Sequence, residues 1–424
     1  MNSKSFAIKG DICYSISKTE LLTYENRYLI CIDGLSVGVF ESVPEKYSTL
    51  EVFDYSGKLV IPGLIDLHIH AAQFSFRGLG MDNELMEWLN SYAFPEESRF
   101  SDIEYAKAAY TQFAEVMKYS ATTRACIFAS VHAPATEILM DLMEKTGLQT
   151  FVGKVNMDRN CPDYIVEDTD KSAADTQDWV ASCINRYKNT KPIITPRFIP
   201  TCTDRLMQRL RGIQEKYGLP LQSHISESPA EIEFVERLCP NAEFYGDAYD
   251  SFKLFGNDVP TIMAHCVYSG EKELARIKQN GVFIAHCPQS NANLASGIAP
   301  VRSFLDMDLR CGLGSDVAGC TTESIFRAMS DAIQMSKIRW RLYDNKLKPL
   351  KFEEAFYLGT RGGGDFFGKV GSFETGYELD AIIINDEPPK HYGKMTLKDR
   401  LERFAHLSIG REPTHKFVSG TQIF

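Results

Sequence analysis

No apolar run in the 424 residues approaches the length of a membrane-crossing helix, which needs roughly 20 consecutive apolar residues. The opening segment, MNSKSFAIKGDICYS, lacks the apolar core of a secretory signal. There is no excess of positive charge either: 46 Lys and Arg stand against 56 Asp and Glu, a formal net charge of -10. A general nucleic-acid or membrane-surface binder needs a cationic footprint, so the balance argues against both classes. No GxGxxG follows a first strand and no GxxxxGK[ST] occurs, so the usual phosphate cradles are missing. Cysteine is present 11 times, but the number is odd and no CxxC pair appears. Several cysteines, such as Cys126, Cys266 and Cys311, sit inside apolar runs. Buried free thiols in a reducing compartment follow, and a cytoplasmic location is the expectation. With 44% hydrophobic and 24% charged residues, the chain has ample material for a large core and is not disordered.

What is present falls into two rhythms. The first sixty residues (KSFAIKGDICYSI, RYLICIDGLSVGVF, KLVIPG) read as short strands broken at Gly and Asp, and the closing GSFETGYELDAIIIND has the same style. The two ends are expected to pair into one small β-sandwich domain, residues 1–62 and 370–424. Between them, short apolar runs alternate with amphipathic segments. The runs are LIDLHIH, TTRACIFAS, TFVGKVNMD, IITPRFIP, LQSHISE, TIMAHCVY, VFIAHCP and LRCGLGSD, eight candidate strands. Helical patterns such as DIEYAKAAYTQFAEVMKY, ATEILMDLMEKTG, TDRLMQRLRGIQEKYG and PAEIEFVERLC separate them. Strands alternating with helices predict a (β/α)8 TIM barrel over residues 63–369, with a doubly wound open sheet as the rival. Residues 71–101 form a long aromatic excursion after the first run, with a helix expected around Glu84 to Tyr92. In a barrel such a loop lies over the mouth.

The chemical signal is where polar residues fall in these runs. LIDLHIH ends in His68 and His70, which share one face of a strand. Alone, an HxH is more often surface or core histidine than a ligand pair. The other runs change that balance: LQSHISE carries His224 with Glu227 three residues on, TIMAHC carries His265, and LRCGLGSD ends in Asp316. A histidine buried in a strand costs desolvation unless it is paired or ligated. Polar residues at the same end of four apolar strands point to a metal site at the carboxyl-terminal mouth. Imidazoles and a carboxylate without thiolate suit a catalytic Zn²⁺ or Fe²⁺ centre with room for water. Glu227 then fits as a proton shuttle that is not a ligand.

PGLIDLHIH, SHISE, MAHC and GLGSD, in this order, resemble the amidohydrolase superfamily, and its single-metal deaminase branch in particular. HIHAAQFSFRGLG, LMEWLNSYAFPEESRF, FVGKVNMDRNCPDY, PRFIPTC, AHCPQSNANLASG and GLGSDVAGC narrow the likeness, which spans nearly the whole chain, to the guanine deaminase family. That resemblance implies His68, His70, His224 and Asp316 as ligands of one Zn²⁺ per chain, with Fe²⁺ as the alternative. It implies Glu227 as proton shuttle, His265 as the residue that polarises the water, and Asp316 as orienting that water. Gln73, Arg197 and Phe198, beside His224 and Asp316, would bind the substrate. Arg197 would donate to the guanine O6, as a donor-only guanidinium suits a carbonyl. The implied reaction is hydrolytic: metal-activated hydroxide attacks C2 of guanine, releasing ammonia and xanthine in purine catabolism or salvage. Another aminopurine, a pterin or an aminotriazine is the rival substrate. A non-catalytic scaffold would have lost ligands or the Glu, and all six positions are intact. The family's habit implies a homodimer and a small-molecule partner.

Other residues carry weaker signals. His286 is as readily a packed histidine as a contact to the ligand, and Asn291 and Asn293 read as ordinary loop residues. Lys154 is expected to be ion-paired, Asp66 to be a strand-end hydrogen-bond partner, and His132 to be structural. His391, His406 and His415 are expected to face solvent. Phe74 and Phe76 are expected as pocket walls ahead of Trp88, Tyr92 and Phe94, which suit a core. Cys202, Cys266 and Cys287 read as buried fillers.

Overall fold

A computed structural model describes residues 4–387, 393–407 and 413–424. The opening strands are β1 (Phe6–Ser15), β2 (Leu21–Ile32), β3 (Leu35–Phe40) and β4 (Val52–Pro62). The central strands are β5 (Leu64–His70), β6 (Thr122–Phe128), β7 (Gln149–Gly153), β8 (Val155–Asn156), β9 (Thr190–Pro192), β10 (Thr195–Pro196), β11 (Leu221–Ile225), β12 (Thr261–His265), β13 (Phe283–His286) and β14 (Cys311–Leu313). The chain closes with β15 (Ala381–Ile384), β16 (His415–Val418) and β17 (Thr421–Gln422).

The opening and closing strands meet, as their shared style predicts. They do so in one seven-stranded mixed sheet, ordered β17-β16-β15-β4-β1-β2-β3. The expectation of a β-sandwich is met as far as one sheet shared by strands of both ends. The reason is β4, which pairs parallel with β1 and antiparallel with β15, so strands from both ends share one continuous ladder. The sheet packs Phe6, Ile8, Ile12, Phe373 and Phe417 into a cluster of its own. Gly10 allows a close approach there: a Cβ would lie 2.6 Å from Cγ2 of Val60, which would have to shift.

All pairings among the central strands are parallel. They form a β5-β6-β7-β9 sheet, a β8-β10 pair and a β11-β12-β13-β14 sheet. A bridge between Ile194 and Leu221 links the two halves on one side. On the other side, Asp316 N–H donates to the His68 carbonyl at 2.8 Å, and His70 N–H to that of Val317 at 3.1 Å. Two predicted strands are interrupted or shortened. TFVGKVNMD divides at Lys154, whose buried ammonium turns aside to Glu167 at 2.6 Å. The IITPRFIP run keeps only the short β10, with β9 lying just before it, and the prolines that end these two strands, Pro192 and Pro196, cannot donate to a ladder.

The predicted helices form at Ile103–Tyr119, Ala133–Thr146, Asp204–Tyr217 and Pro229–Leu238. Asp204–Tyr217 shows how local rules set such a segment. Thr203 caps its start by accepting from Leu206 N–H, Leu206, Met207, Leu210 and Ile213 are buried on one face, and Gly218 ends it at φ +64°. The excursion after β5 begins with a 3₁₀ segment, Ala71–Phe76. Its helix starts at Leu85, widens to a π turn over Leu89–Ala93, and resumes over Phe94–Ser98. Pro95 cannot supply the i→i−4 donor there, and the wide turn sits just before it.

Candidate active site

The polar residues singled out in the strands come together at one end of the central sheets. β5 is buried along its whole length. His68 and His70, two residues apart, turn Nε2 atoms toward each other at 3.2 Å. Asp66 fixes this strand from below: one oxygen accepts from the His68 N–H at 3.1 Å and from the Ser315 N–H at 3.0 Å. The other accepts from the Ser315 hydroxyl at 2.6 Å. Asp66 is the hydrogen-bond partner that the sequence predicts, and burial pushes its carboxyl up to about 7. Gly314 allows the strands to approach, since a Cβ there would lie 2.8 Å from both Cys287 Sγ and His68 Cβ.

β11 presents His224. Its Nδ1 donates to the Arg197 carbonyl at 2.6 Å. A carbonyl only accepts, so this contact fixes the tautomer and leaves the Nε2 lone pair facing His70 Nε2 at 3.3 Å. Asp316 follows β14, and its Oδ1 lies 3.2 Å from His68 Nε2 and 3.5 Å from His70 Nε2. Burial, and then the neighbouring imidazoles, hold His70 and His224 well below the usual histidine range. For Asp316 burial acts upward, but His68, His265 and His70 outweigh it and keep the carboxyl well below the carboxylate range. Neutral imidazoles and an ionised carboxylate are the ligand states a divalent ion requires. The spacing also fits: in a tetrahedron with bonds of about 2.0–2.1 Å the donor atoms stand about 3.3–3.4 Å apart. His68 with His70 and Asp316, and His68 with His224 and His265, form clusters able to hold a metal ion.

Glu227 and His265 stand next to this cluster. His265 Nδ1 donates to Asn291 Oδ1 at 2.8 Å. Its Nε2 faces Glu227 Oε2 at 3.4 Å and Asp316 Oδ2 at 3.9 Å. Burial lowers the His265 pKa, yet the Glu227 and Asp316 carboxylates raise it above the ordinary value. Glu227 is pushed up to about 7, first by burial, against the pull of His265 and with Asp316 adding to the rise. Its Oε1 accepts from the Ser296 hydroxyl at 2.9 Å, which leaves Oε2 toward His265. Its backbone N–H donates to Glu231, part of a capping box with Ser228. Ser226, His265, Cys266 and Asp316 all take positive φ, between 48° and 79°, though none is glycine. Such backbone costs of order 1–3 kcal/mol per residue and gathers at functional sites.

His70, His224, Glu227, His265 and Asp316 line one pocket. Gln73, Arg197 and Phe198 line it too, as do Leu85, Trp88, Leu89, Leu294 and Gly319. Glu97, buried beneath, accepts from Gln73 Nε2 at 2.8 Å and from Arg197 Nη1 at 2.5 Å. The Ala318 N–H donates to Gln73 Oε1 at 3.1 Å.

All nine residues proposed from sequence, His68, His70, Gln73, Arg197, Phe198, His224, Glu227, His265 and Asp316, thus fall in one place. Some neighbours do not match expectation. Phe74 and Phe76 are not pocket walls: Phe74 packs on Phe113 and under Arg77, and Phe76 packs on Trp88 and Tyr92. Trp88 takes the wall position, while Phe94 lies beneath the Arg197 guanidinium at 5.0 Å. Asn291 is more than a loop residue, since it orients His265. Asn293 donates to the Gly319 carbonyl at 2.9 Å. Glu97 and Ser296 lie in two of the segments that carry the resemblance, but an acid in an FPEES helix turn and a serine in a loop gave no sign of their roles. His286 is buried and, among the described residues, has no hydrogen-bond partner on either nitrogen, and burial brings it down to about 3. His132 is partly buried. Cys202, Cys266 and Cys287 are buried thiols raised by desolvation, as expected of fillers. His406 is exposed, His415 is partly buried against Tyr55 at 4.6 Å, and His391 lies outside the described residues.

Residues 59–423 match the family model described as the amidohydrolase family. This chain belongs to the amidohydrolase family. Among amidohydrolases and related proteins, it is 38% identical over 380 residues to a guanine deaminase of Dictyostelium discoideum, covering 88% of this chain and 84% of that one. It is 39% identical over 379 residues to the guanine deaminase of Homo sapiens, covering 86% and 82%. In three dimensions it resembles the crystal structure of a guanine deaminase from C. acetobutylicum with guanine bound in the active site. The TM-score is 0.95 at 43% identity, covering 99% of this chain and 100% of the other. Among the described residues, no helix is long and apolar enough to cross a membrane.

Proposed function

We propose that this amidohydrolase is a guanine aminohydrolase, converting guanine and water to xanthine and ammonia. The observation that carries it is one pocket, in which a His/Asp cluster and a shuttle glutamate face the hydrogen-bonding groups of Gln73 and Arg197. Its relatives' activity supports the same substrate. In this reading His68, His70, His224 and Asp316 hold one divalent ion per chain, Zn²⁺ or Fe²⁺, and the donor set supports either. A metal held there supplies Lewis acidity that makes hydroxide available near neutral pH.

The chain's own groups do the rest. Arg197 donates to the guanine O6, Gln73 reads the ring edge beside it, and Phe198 and Trp88 exclude water. Glu227 Oε2 takes a proton from the attacking water and delivers it to the ring nitrogen beside C2. A C–O bond forms at C2 as the carbon becomes tetrahedral. A proton then passes to the amino nitrogen, the C2–N bond breaks, and ammonia leaves as C2 becomes a carbonyl. His265, held by Asn291, polarises the water, and Asp316 orients it. The central strands are read as one (β/α)8 barrel over residues 63–369. The Ile194–Leu221 bridge and the Asp316–His68 hydrogen bond support closure. Residues 1–62 and 370–424 are read as a separate β domain. A homodimer follows from the resemblance, and a cytoplasmic location from the free cysteines.

Ammonia release from metal-assayed protein tests this over guanine, adenine, cytosine, isoguanine, a pterin and ammeline. Release from guanine, lost on chelation and restored by one metal per chain, is expected. Release from another member but not guanine would keep the metal site and overturn the roles of Gln73 and Arg197.

A further inference from the structure

Glu97 lies under the pocket wall and is 1% exposed. One of its carboxylate oxygens accepts from the Gln73 amide and the other from the Arg197 guanidinium. Two consequences follow from the donor and acceptor inventory. First, a carboxylate only accepts, so the Gln73 atom beside it is the NH₂ group, and the Ala318 N–H only donates, so the opposite atom is the oxygen. The amide is thereby locked in one of its two flips, with one N–H and one lone pair left for the pocket. Second, the Arg197 charge is already neutralised, in a place where Arg197 itself is 3% exposed. A buried cation without a partner draws an anion, whereas a paired one offers its remaining N–H groups to a neutral carbonyl.

We propose that Glu97 is the positioning residue that sets this pocket's preference for a neutral, carbonyl-bearing ring over an anionic one. It does so by fixing Gln73's polarity and cancelling Arg197's charge. The inference rests on the substrate reading above and deepens it. Its sign is what makes it testable, because removing the charge while keeping the shape gains affinity for the wrong ligand.

The experiment compares wild type, Glu97→Gln and Glu97→Asp. For Glu97→Gln, kcat/KM for guanine is expected to fall by about tenfold to a hundredfold, the range for losing a charge-assisted hydrogen bond. Most of the loss should appear in KM. Equilibrium binding of xanthine is measured at pH 6.5, where it is largely neutral, and at pH 8.5, where its anion dominates. Relative to wild type, Glu97→Gln should favour the pH 8.5 form by about tenfold, as expected for an uncompensated buried cation. Binding of benzoate, a planar anion unrelated to purines, should tighten by a similar factor. Glu97→Asp keeps the charge but not the reach, so it should lose guanine affinity without gaining either anion. A Glu97→Gln protein whose guanine kinetics stay within twofold of wild type would overturn the inference. So would a loss of guanine activity with unchanged preference between neutral and anionic ligands, since that marks a merely structural role. If wild type fails to deaminate guanine, the substrate reading falls on its own, and the benzoate comparison still decides the role of Glu97.

Discussion

Glu227 sits where a carboxylate is expensive to keep. Burial pushes it up to about 7 while Ser296 and the backbone hold it in place. In its proposed role as proton acceptor it must start ionised, so kcat/KM should fall as pH drops through a midpoint at or below about 7, a bound cation moving that midpoint down. Glu227→Gln should keep the metal and lose about a hundredfold to ten-thousandfold in rate, the range for a general acid–base group. The same residue carries a stability cost with a defined sign. Its folded pKa lies above the unfolded value of 4.5, so the protonated form is favoured in the fold. Its stabilising contribution is complete below the unfolded pKa and is lost as pH rises through about 7. Above that, the buried carboxylate costs roughly 3 kcal/mol in the metal-free protein. Metal-free Glu227→Gln should therefore unfold at higher temperature than wild type at pH 8, with the gap closing near pH 4. A calorimetric difference that does not change with pH would remove Glu227 from its assigned environment.

At the scale of elements, the site depends on how closely β14 approaches β5. Gly314 has no Cβ to meet Cys287 and His68, and the next residues turn so that Asp316 reaches both β5 imidazoles. Gly314→Ala should cost about 1–3 kcal/mol through overpacking and displace His68. Metal content measured beside urea unfolding checks this. A variant with a full complement of metal and wild-type stability would show that the approach is slack. The excursion after β5 acts at the same scale. Its helix, widened before Pro95, places Trp88 on the pocket and Glu97 beneath it. The helix expected around Glu84 to Tyr92 starts at Leu85 and runs on through Ser98, and the expectation of Phe76 ahead of Trp88 as the wall is reversed. Both are aromatics on one short segment, and packing against Tyr92 decides which turns inward.

Over the whole molecule, the terminal sheet and the central strands are joined by buried charge. Arg124 on β6 donates to Asp380 at 2.7 Å and to Glu378 at 2.8 Å, just before β15. Removing one partner of a buried pair strands the other and costs about 3–5 kcal/mol. Arg124→Met should lose that much stability, while ammonia release at 25 °C stays near wild type because Arg124 is not among the groups lining the pocket. A loss below 1 kcal/mol would mean that water or Ser419 compensates Asp380.

The sequence by itself determined the alternation of strands and helices, the pairing of the two chain ends, and the set of polar residues at strand ends. It could do so because burying histidine or aspartate in an apolar strand is costly, so their repeated appearance at one strand end is a local signal. Tertiary structure alone decided the rest. Glu97, Ser296 and Asn291 act through partners 24 to 100 residues away; their segments carry the family resemblance, but no local pattern gives these three residues their roles. The place of β4 between β1 and β15 was likewise hidden, because hydrophobic alternation says which face of a strand is buried and not which strand lies beside it.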